Sequence, residues 1–232
     1  MKKMKVRVTL ITEMLGTFPT DPDIYVAFIE ERKKRDTLGL FPKDFDIKKE
    51  LENISRVAKA NDWMSDENPD NNPNIITTNN PKALTAFPRD ENYNLIMYDY
   101  QIRGFFKEAC GSLKSIKDSE WGKESAKIKN YKKVIDGGVF VTPEYIPIHI
   151  AEGKTVSIES RSLRAQSPTP PYERVCISSS ETVPRGSWFE FEIMYPDSFD
   201  KAIKEWMDYG EFKGFLQWRS GGKGRFTYEI LE

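Results

Sequence analysis

The stretch ETVPRGSWFEFEIMYPDSFDKAIKEWMDYGEFKGFLQWRSGGKGRFTYEI, Glu181 to Ile230, decides how the chain is read. From Ser187 to Tyr195, Phe189, Phe191 and Ile193 alternate with Glu190 and Glu192, which is the period of a half-buried strand. The segment PDSFDKAIKEWMDYG then changes to helical spacing. Asp197 or Ser198 is its expected cap, Phe199, Ala202, Ile203 and Trp206 its apolar stripe, and Gly210 its expected stop. Between Lys213 and Arg225 stand Gly214, Gly221, Gly222 and Gly224, together with Lys213, Arg219, Lys223 and Arg225. Phe226, Tyr228 and Ile230 alternate after them as a last strand. Glycine gives up the most backbone freedom on folding, so such a cluster has a purpose. Either it makes a tight turn, or it lets a ligand approach the backbone closely.

The rest of the chain extends this strand, helix, glycine loop, strand unit. Lys5 to Ile11 alternates Val6, Val8 and Leu10 against Lys5, Arg7 and Thr9, a first strand. After Gly16, Asp21 can cap a helix with Pro22 as its first residue and Ile24 and Phe28 on its apolar face. A mixed-charge helical stretch follows around Asp46 to Lys59, and Asn61 to Pro81 reads as a long Asn- and Pro-rich surface loop. In Tyr100 to Leu113, the residues Ile102, Phe105, Phe106, Ala109, Cys110 and Leu113 fall on one helical stripe. Gly104 and Gly111 each cost that helix roughly 1 kcal/mol relative to alanine, which calls for close packing or close ligand approach as compensation. A lysine-rich segment, Lys114 to Lys133, leads through Gly137 and Gly138 to VFVTPEYIPIHI, a strand interrupted by Pro143 and Pro147. Strand-like runs at Thr155 to Leu163 and Arg174 to Ser179 flank an SPTPP turn. The resulting order predicts an α+β fold, a ferredoxin-like (RRM-like) βαββαβ core with an antiparallel sheet and a long insertion after the first strand. One domain over residues 1–232 is expected, with 13–95 inserted in it.

Composition narrows the function. The chain has 232 residues, of which 38% are hydrophobic and 31% charged, yet the formal net charge is only -1. A polyanion would therefore be held by a local patch and not by bulk charge. Cys110 and Cys176 lie far apart and the single histidine is His149, so neither a disulfide framework nor zinc-ligand spacing is present. No cofactor and no metal site are expected. The N-terminal run MKKMKVRVTLIT lacks the continuous apolar core of a signal peptide, and no segment approaches a membrane span. A cytoplasmic protein with no membrane partner is the expectation.

Bare amides and cations in the glycine-rich loop are suited to an anion. Trp218 and Phe226 add faces on which bases can stack. A mobile turn with solvated cations is the plainer reading of the same residues. Neither the P-loop pattern G-x-x-x-x-G-K-[ST] nor a dinucleotide G-x-G-x-x-G after the first strand occurs here.

Taken in order, these segments resemble the RAMP superfamily of CRISPR-associated proteins, in particular the backbone subunits of type III effector complexes. Gln101, Ile102, Arg103 and Gly104 resemble the S-L-K-G segment that opens the family's helix. Val183, Pro184, Gly186, Phe189, Phe191 and Ile193 match the V-P-x-G-x-x-F-x-F-x-I strand. Gly214, Arg219, Ser220, Gly222 and Gly224 match the terminal glycine-rich loop. Each motif is short, and their shared order is more specific than any one alone. The resemblance implies binding to the sugar-phosphate backbone of a guide-like single-stranded RNA. The residues carried over are Arg103, Gly104, Arg219, Ser220, Gly222, Lys223, Gly224 and Arg225; Lys213, Gly214, Trp218 and Gly221 join them as expected RNA-binding residues on the loop's own residue types.

It also implies a departure. Cleaving backbone subunits carry an aspartate shortly before a proline, where this chain has Asn79 and Asn80 before Pro81. Asparagine lacks the carboxylate's charge and basicity. Binding without cutting follows, with no catalytic residue assigned, although Asp21, Asp23, Asp90 and Asp99 lie in the same region. His149 is the one residue on which a histidine-based guide-processing mechanism would rest; a solvated or structurally bonded imidazole is its plainer reading. The lysine-rich segment, with Trp121 and Tyr131 interleaved, reads either as a finger along nucleic acid or as a solvated linker. The alternative function is an interaction protein that associates with CRISPR effector subunits or with itself. One form of it is a virus-encoded inhibitor that mimics a backbone subunit.

Overall fold

The computed structural model describes residues 1–19, 84–90, 94–116, 121–166 and 173–231, with positions 26, 27 and 30. Most of the helix expected after Gly16, the mixed-charge stretch, the Asn- and Pro-rich loop and the SPTPP turn lie outside the described residues. So do Asp21, Asp23, Asn79 and Asn80. In chain order the strands are β1 (Lys2–Leu10), β2 (Met14–Leu15), β3 (Phe18–Pro19), β4 (Leu84–Ala86), β5 (Ile96–Tyr98), β6 (Phe140–Thr142), β7 (Tyr145–Pro147), β8 (Ser157–Gln166), β9 (Glu173–Val183), β10 (Trp188–Tyr195) and β11 (Phe226–Leu231). The helices are α1 (Asp99–Ser115), α2 (Lys123–Lys127), α3 (Tyr131–Gly138) and α4 (Asp200–Lys213). The chain divides into two compact units, one of Met1–Leu15, Asn94–Val156 and Val183–Glu232, the other of Gly16–Tyr93 and Ser157–Thr182.

The first unit carries a four-stranded sheet in the order β11-β1-β10-β6. All three pairings are antiparallel. With α1 between β1 and β6, and α4 between β10 and β11, this is the ferredoxin-like βαββαβ arrangement, first strand central. Alternation in the sequence sets the two faces. Val6 stands opposite both Phe191 and Ile230, and Val8 opposite Phe189 and Tyr228. Met4, Val6, Val8 and Leu10 are buried with Phe189, Phe191 and Ile193. Lys3, Lys5 and Arg7 leave on the other face and pair with Glu192 and Glu190 of β10.

Helix α1 lays Ile102, Phe105, Phe106, Ala109, Cys110 and Leu113 into the core, as its spacing predicts. Four aromatic rings from different elements meet there. The Phe105 ring centroid lies 4.6 Å from that of Phe215, and Phe215 stacks on Phe226 at 4.3 Å. Phe189 completes the cluster 5.6 Å from Phe215. Such pairs are worth about 0.5–1.5 kcal/mol each beyond their area burial.

Three expectations are corrected. Helix α4 does not stop at Gly210 but runs to Lys213, with Gly214 as its cap. Gly210 is internal because a Cβ there would overlap the Phe226 ring; the glycine lets α4 approach β11 closely. Neither Asp197 nor Ser198 caps α4, because Asp197–Phe199 form a 3-10 turn ahead of it. The described part of the lysine-rich segment is not a solvated linker but carries the two short helices α2 and α3. The Glu205 carboxylate of α4 accepts from the Glu124 amide (3.2 Å), the Ser125 amide (2.9 Å) and the Ser125 hydroxyl (2.6 Å). Trp206 Nε1 donates to Ser125 Oγ at 2.9 Å. These bonds occupy the orphan amides at the start of α2 and fasten it to α4.

The second unit pairs β8 with β9 antiparallel, β4 with β9 parallel and β3 with β4 antiparallel. Inside it Glu181, 1% exposed, accepts from the Arg89 guanidinium and from the Phe87 amide at 2.8 Å. A buried carboxylate requires that kind of pairing.

Candidate nucleic-acid interface

The glycine-rich loop lies between the end of α4 and the start of β11, and the end of β1 clasps it. Thr12 Oγ1 donates to the Gly222 carbonyl at 2.8 Å and accepts from the Arg225 amide at 2.9 Å. The Gly224 amide donates to the Glu13 carbonyl at 2.7 Å. The Gly221 and Gly222 amides donate to the carbonyls of Trp218 (2.9 Å) and Arg219 (3.0 Å), and the Phe215 amide donates to Gly224 at 2.8 Å. The bare-amide cradle is therefore corrected: these amides serve the protein's own carbonyls. Gly214 and Gly224 have φ of 74° and 72°, and at each a Cβ would overlap backbone of the facing segment. Their reason is a tight intramolecular turn. Among the described residues Gly222, at φ 79°, has nothing within 4 Å of its Cβ position.

The cations tell a different story. Lys213 Nζ lies 3.9 Å from Glu108 Oε1, and the Arg219 guanidinium pairs with the other oxygen of the same carboxylate. Lys223 Nζ is 3.6 Å from Glu13 Oε2. Arg225 Nε donates to the Glu211 carbonyl at 2.5 Å. A bond from its own amide, then the charges of Lys223 and Arg185, hold the Glu13 carboxyl below its ordinary value against partial burial. Trp218, at φ 52°, is 39% exposed, and Ser220 and Gly221 are exposed beside it.

Arg103 and Gly104 belong to α1, which opens at Asp99 with Gln101 Oε1 accepting from the Tyr98 amide at 2.8 Å. Both residues thus sit one turn past the helix terminus and not at its free amides. Arg103 Nη2 donates to Asp99 Oδ2 at 2.8 Å, while its Nε is buried and makes no hydrogen bond among the described residues. Gly104 is exposed, and a Cβ there would meet nothing within 4 Å among the described residues. No packing contact among the described residues therefore accounts for that glycine.

Glu108 joins the two halves. It stands four residues after Gly104, on the same helical stripe, and holds Lys213 and Arg219 of the loop. The structure so brings Gly104, Lys213 and Arg219 to one side of the first unit, with Arg103 at the near turn. Lys223 and Arg225 lie toward the end of β1. Glu108, Glu13 and Thr12 were missed by sequence reasoning. An acidic residue on a helix surface looks like any solvated charge, and nothing local to Thr12 announces a partner 210 residues away.

Among the described residues no three His, Cys, Asp or Glu side chains converge to hold a metal ion, and no helix there is long and apolar enough to cross a membrane. Cys110 is a buried free thiol whose pKa burial raises to about 11.

No protein-family model matches the chain, and no curated protein matches it. Solved structures do. Over 100% of its length the chain superposes on 60% of a chain in a cryo-EM structure of the type III-B Cmr-beta complex bound to cognate target RNA, with a TM-score of 0.50 and 12% identity. A chain of a type IV-B CRISPR complex aligns over 99% of this chain and 90% of its own length, with a TM-score of 0.41 and 9% identity. The present chain spans about three-fifths of the Cmr-beta chain it matches. At that identity the likeness is one of fold, and it agrees with the α+β ferredoxin-like reading.

Proposed function

We propose that the chain is a RAMP-type RNA-binding protein of CRISPR-type antiviral defence, one domain that holds the backbone of a guide-like single-stranded RNA without cutting it. The observation that carries this reading is the convergence of Lys213 and Arg219 on Glu108, beside the open Gly104 stripe. Phosphate contacts need cations and room for a backbone, and both lie on that side. The fold likeness to a chain of an assembly solved with target RNA supports it further. Shape and charge, with little base-edge reading, would set the affinity at this surface. The test is a filter-binding titration of single-stranded RNA at several salt concentrations. Affinity that falls steeply as salt rises is expected; no binding at low salt rejects the proposal.

Gly104 gives a sharper test because two effects of opposite sign are expected. Gly104→Ala adds a methyl group that meets nothing within 4 Å among the described residues, so it should stabilise the fold by about 0.5–1 kcal/mol through helix propensity. The same methyl group would stand where RNA backbone approaches, so affinity should fall about fivefold, or ~1 kcal/mol. Urea melts and filter binding read the two effects separately. A stabilised variant with unchanged affinity would remove Gly104 from the interface.

A second reading has its own observation. Trp121 and Phe212 are 41% and 58% exposed, with their rings edge to face at 5.2 Å. Exposed aromatic pairs are frequent anchors of protein interfaces. They favour the alternative of an interaction protein that docks on effector subunits or on itself.

A further inference from the structure

The open face of the first unit's sheet carries a stack that the phosphate surface does not use. The His149 and Trp188 rings lie parallel with centroids 4.0 Å apart and an interplanar angle of 17°. The segment of His149 is locked to β10 by reciprocal bonds, His149 amide to Trp188 carbonyl at 2.8 Å and Trp188 amide to His149 carbonyl at 2.9 Å. The Arg7 guanidinium carbon sits 4.6 Å from the Trp188 ring centroid. Arg7 is held there by Glu190, which accepts from Nε at 2.8 Å and from Nη2 at 2.6 Å. Its charge is thus neutralised in place, and it braces the indole. His149, by contrast, is exposed, while Ile146 and Ile148, which precede it, are buried.

Cations border the stack. Trp188 stands opposite Thr9, at the same end of the sheet as the Gly186 turn. There the exposed Lys154 donates from Nζ to the Arg185 carbonyl at 2.8 Å, and Arg185 is itself exposed. Arg185 also acts on the Glu13 carboxyl, the residue that pairs with Lys223 of the glycine loop. Along this end of the sheet, therefore, lie an exposed aromatic face, two exposed cations and then the glycine loop.

We propose that His149, backed by Trp188, is a base-stacking platform for single-stranded RNA, with Lys154 and Arg185 meeting the phosphates that link it to the glycine-loop surface. This rests on the RNA-binding reading above and adds a base contact to a surface otherwise built for phosphate. A four-stranded sheet presenting aromatic rings on its open face is a recurrent means of stacking unpaired bases. An imidazole already held parallel to an indole is pre-organised, so a base gains a π-surface without an ordering cost in the protein. Lysine and arginine beside it fit a phosphate-bearing strand better than an apolar peptide.

The experiment compares a short fluorescent oligouridylate with an abasic oligomer of equal length and charge, by anisotropy at low salt. The wild type should bind the oligouridylate about tenfold more tightly than the abasic oligomer. His149→Ala should erase that preference by weakening the oligouridylate alone, and His149→Phe should restore it. His149 is exposed, so circular dichroism should be unchanged in both. A wild type that does not distinguish the oligomers overturns the platform, as does a His149→Ala protein that distinguishes them as well as the wild type. If Arg219→Ala still weakens both oligomers in that case, the phosphate surface stands without the platform. If neither oligomer binds the wild type, both proposals fail.

Discussion

Gly224→Ala should destabilise the protein by about 3 kcal/mol or more, whereas Gly222→Ala, two residues away, should cost only about 1 kcal/mol. Both glycines have φ near the left-handed value, 72° and 79°. Both substitutions therefore incur the backbone penalty of an L-residue there, roughly 1–2 kcal/mol. They differ in what the new Cβ meets. At Gly222 it meets nothing within 4 Å among the described residues, while at Gly224 it overlaps the Phe215 carbonyl oxygen and lies 2.9 Å from the Phe215 nitrogen. Those atoms cannot turn aside as a side chain would. The Phe215 amide donates to the Gly224 carbonyl, and the Phe215 ring is stacked on Phe226 and wedged against Phe105 and Phe189. Displacing this backbone therefore disturbs the aromatic cluster that joins α1, β10 and β11. Paired urea melts read the difference directly. Equal losses at the two positions would mean that the turn is soft enough to absorb the methyl group.

That contrast also explains why the loop could be found in the sequence but not interpreted from it. A dense run of glycine is visible at once; whether its partner is a ligand or the chain's own backbone depends on residues that arrive from far away. Gly214 and Gly224 face each other across the loop, and Thr12 and Glu13, which clasp it, come from the other end of the chain. The strands were legible because burial alternates with the side chains, as at Val6 and Val8 against Phe189 and Phe191. The α1 stripe was legible for the same kind of reason. What failed were boundaries set by tertiary contact. Gly210 looks like a helix stop until the Phe226 ring is seen filling the space beside it. The α2 segment looks like a solvated lysine run until Glu205, 80 residues beyond Ser125, accepts its amides. Propensity is a weak prior, and here one carboxylate and one ring outweigh it.

Replacing Arg219, Lys223 and Arg225 together by alanine should lower affinity for single-stranded RNA by about two orders of magnitude at low salt, each lost phosphate contact contributing roughly 1 kcal/mol. It should also flatten the dependence of log affinity on log salt by about 2, since three contacts each release roughly 0.7 counterion from a single strand. In the free protein these cations are occupied by Glu108, Glu13 and the Glu211 carbonyl. That does not bar the role. The Arg219 and Glu108 side chains are 29% and 28% exposed, and ion pairs so open to water are typically worth 0–1 kcal/mol. A phosphate can take over the guanidinium at little cost, whereas the loop amides, bonded to carbonyls of the same fold, are not free to exchange. The same argument gives a variant of opposite sign: Glu108→Gln removes the competing charge from Lys213 and Arg219 and should raise affinity about fivefold. Filter binding across a salt series measures both variants, with melting curves to show that each is folded. A triple variant that binds RNA as the wild type does would reject the phosphate surface. If that variant also kept its grip on an effector subunit and lost it on Phe212→Ala, the interaction reading would replace the RNA-binding one.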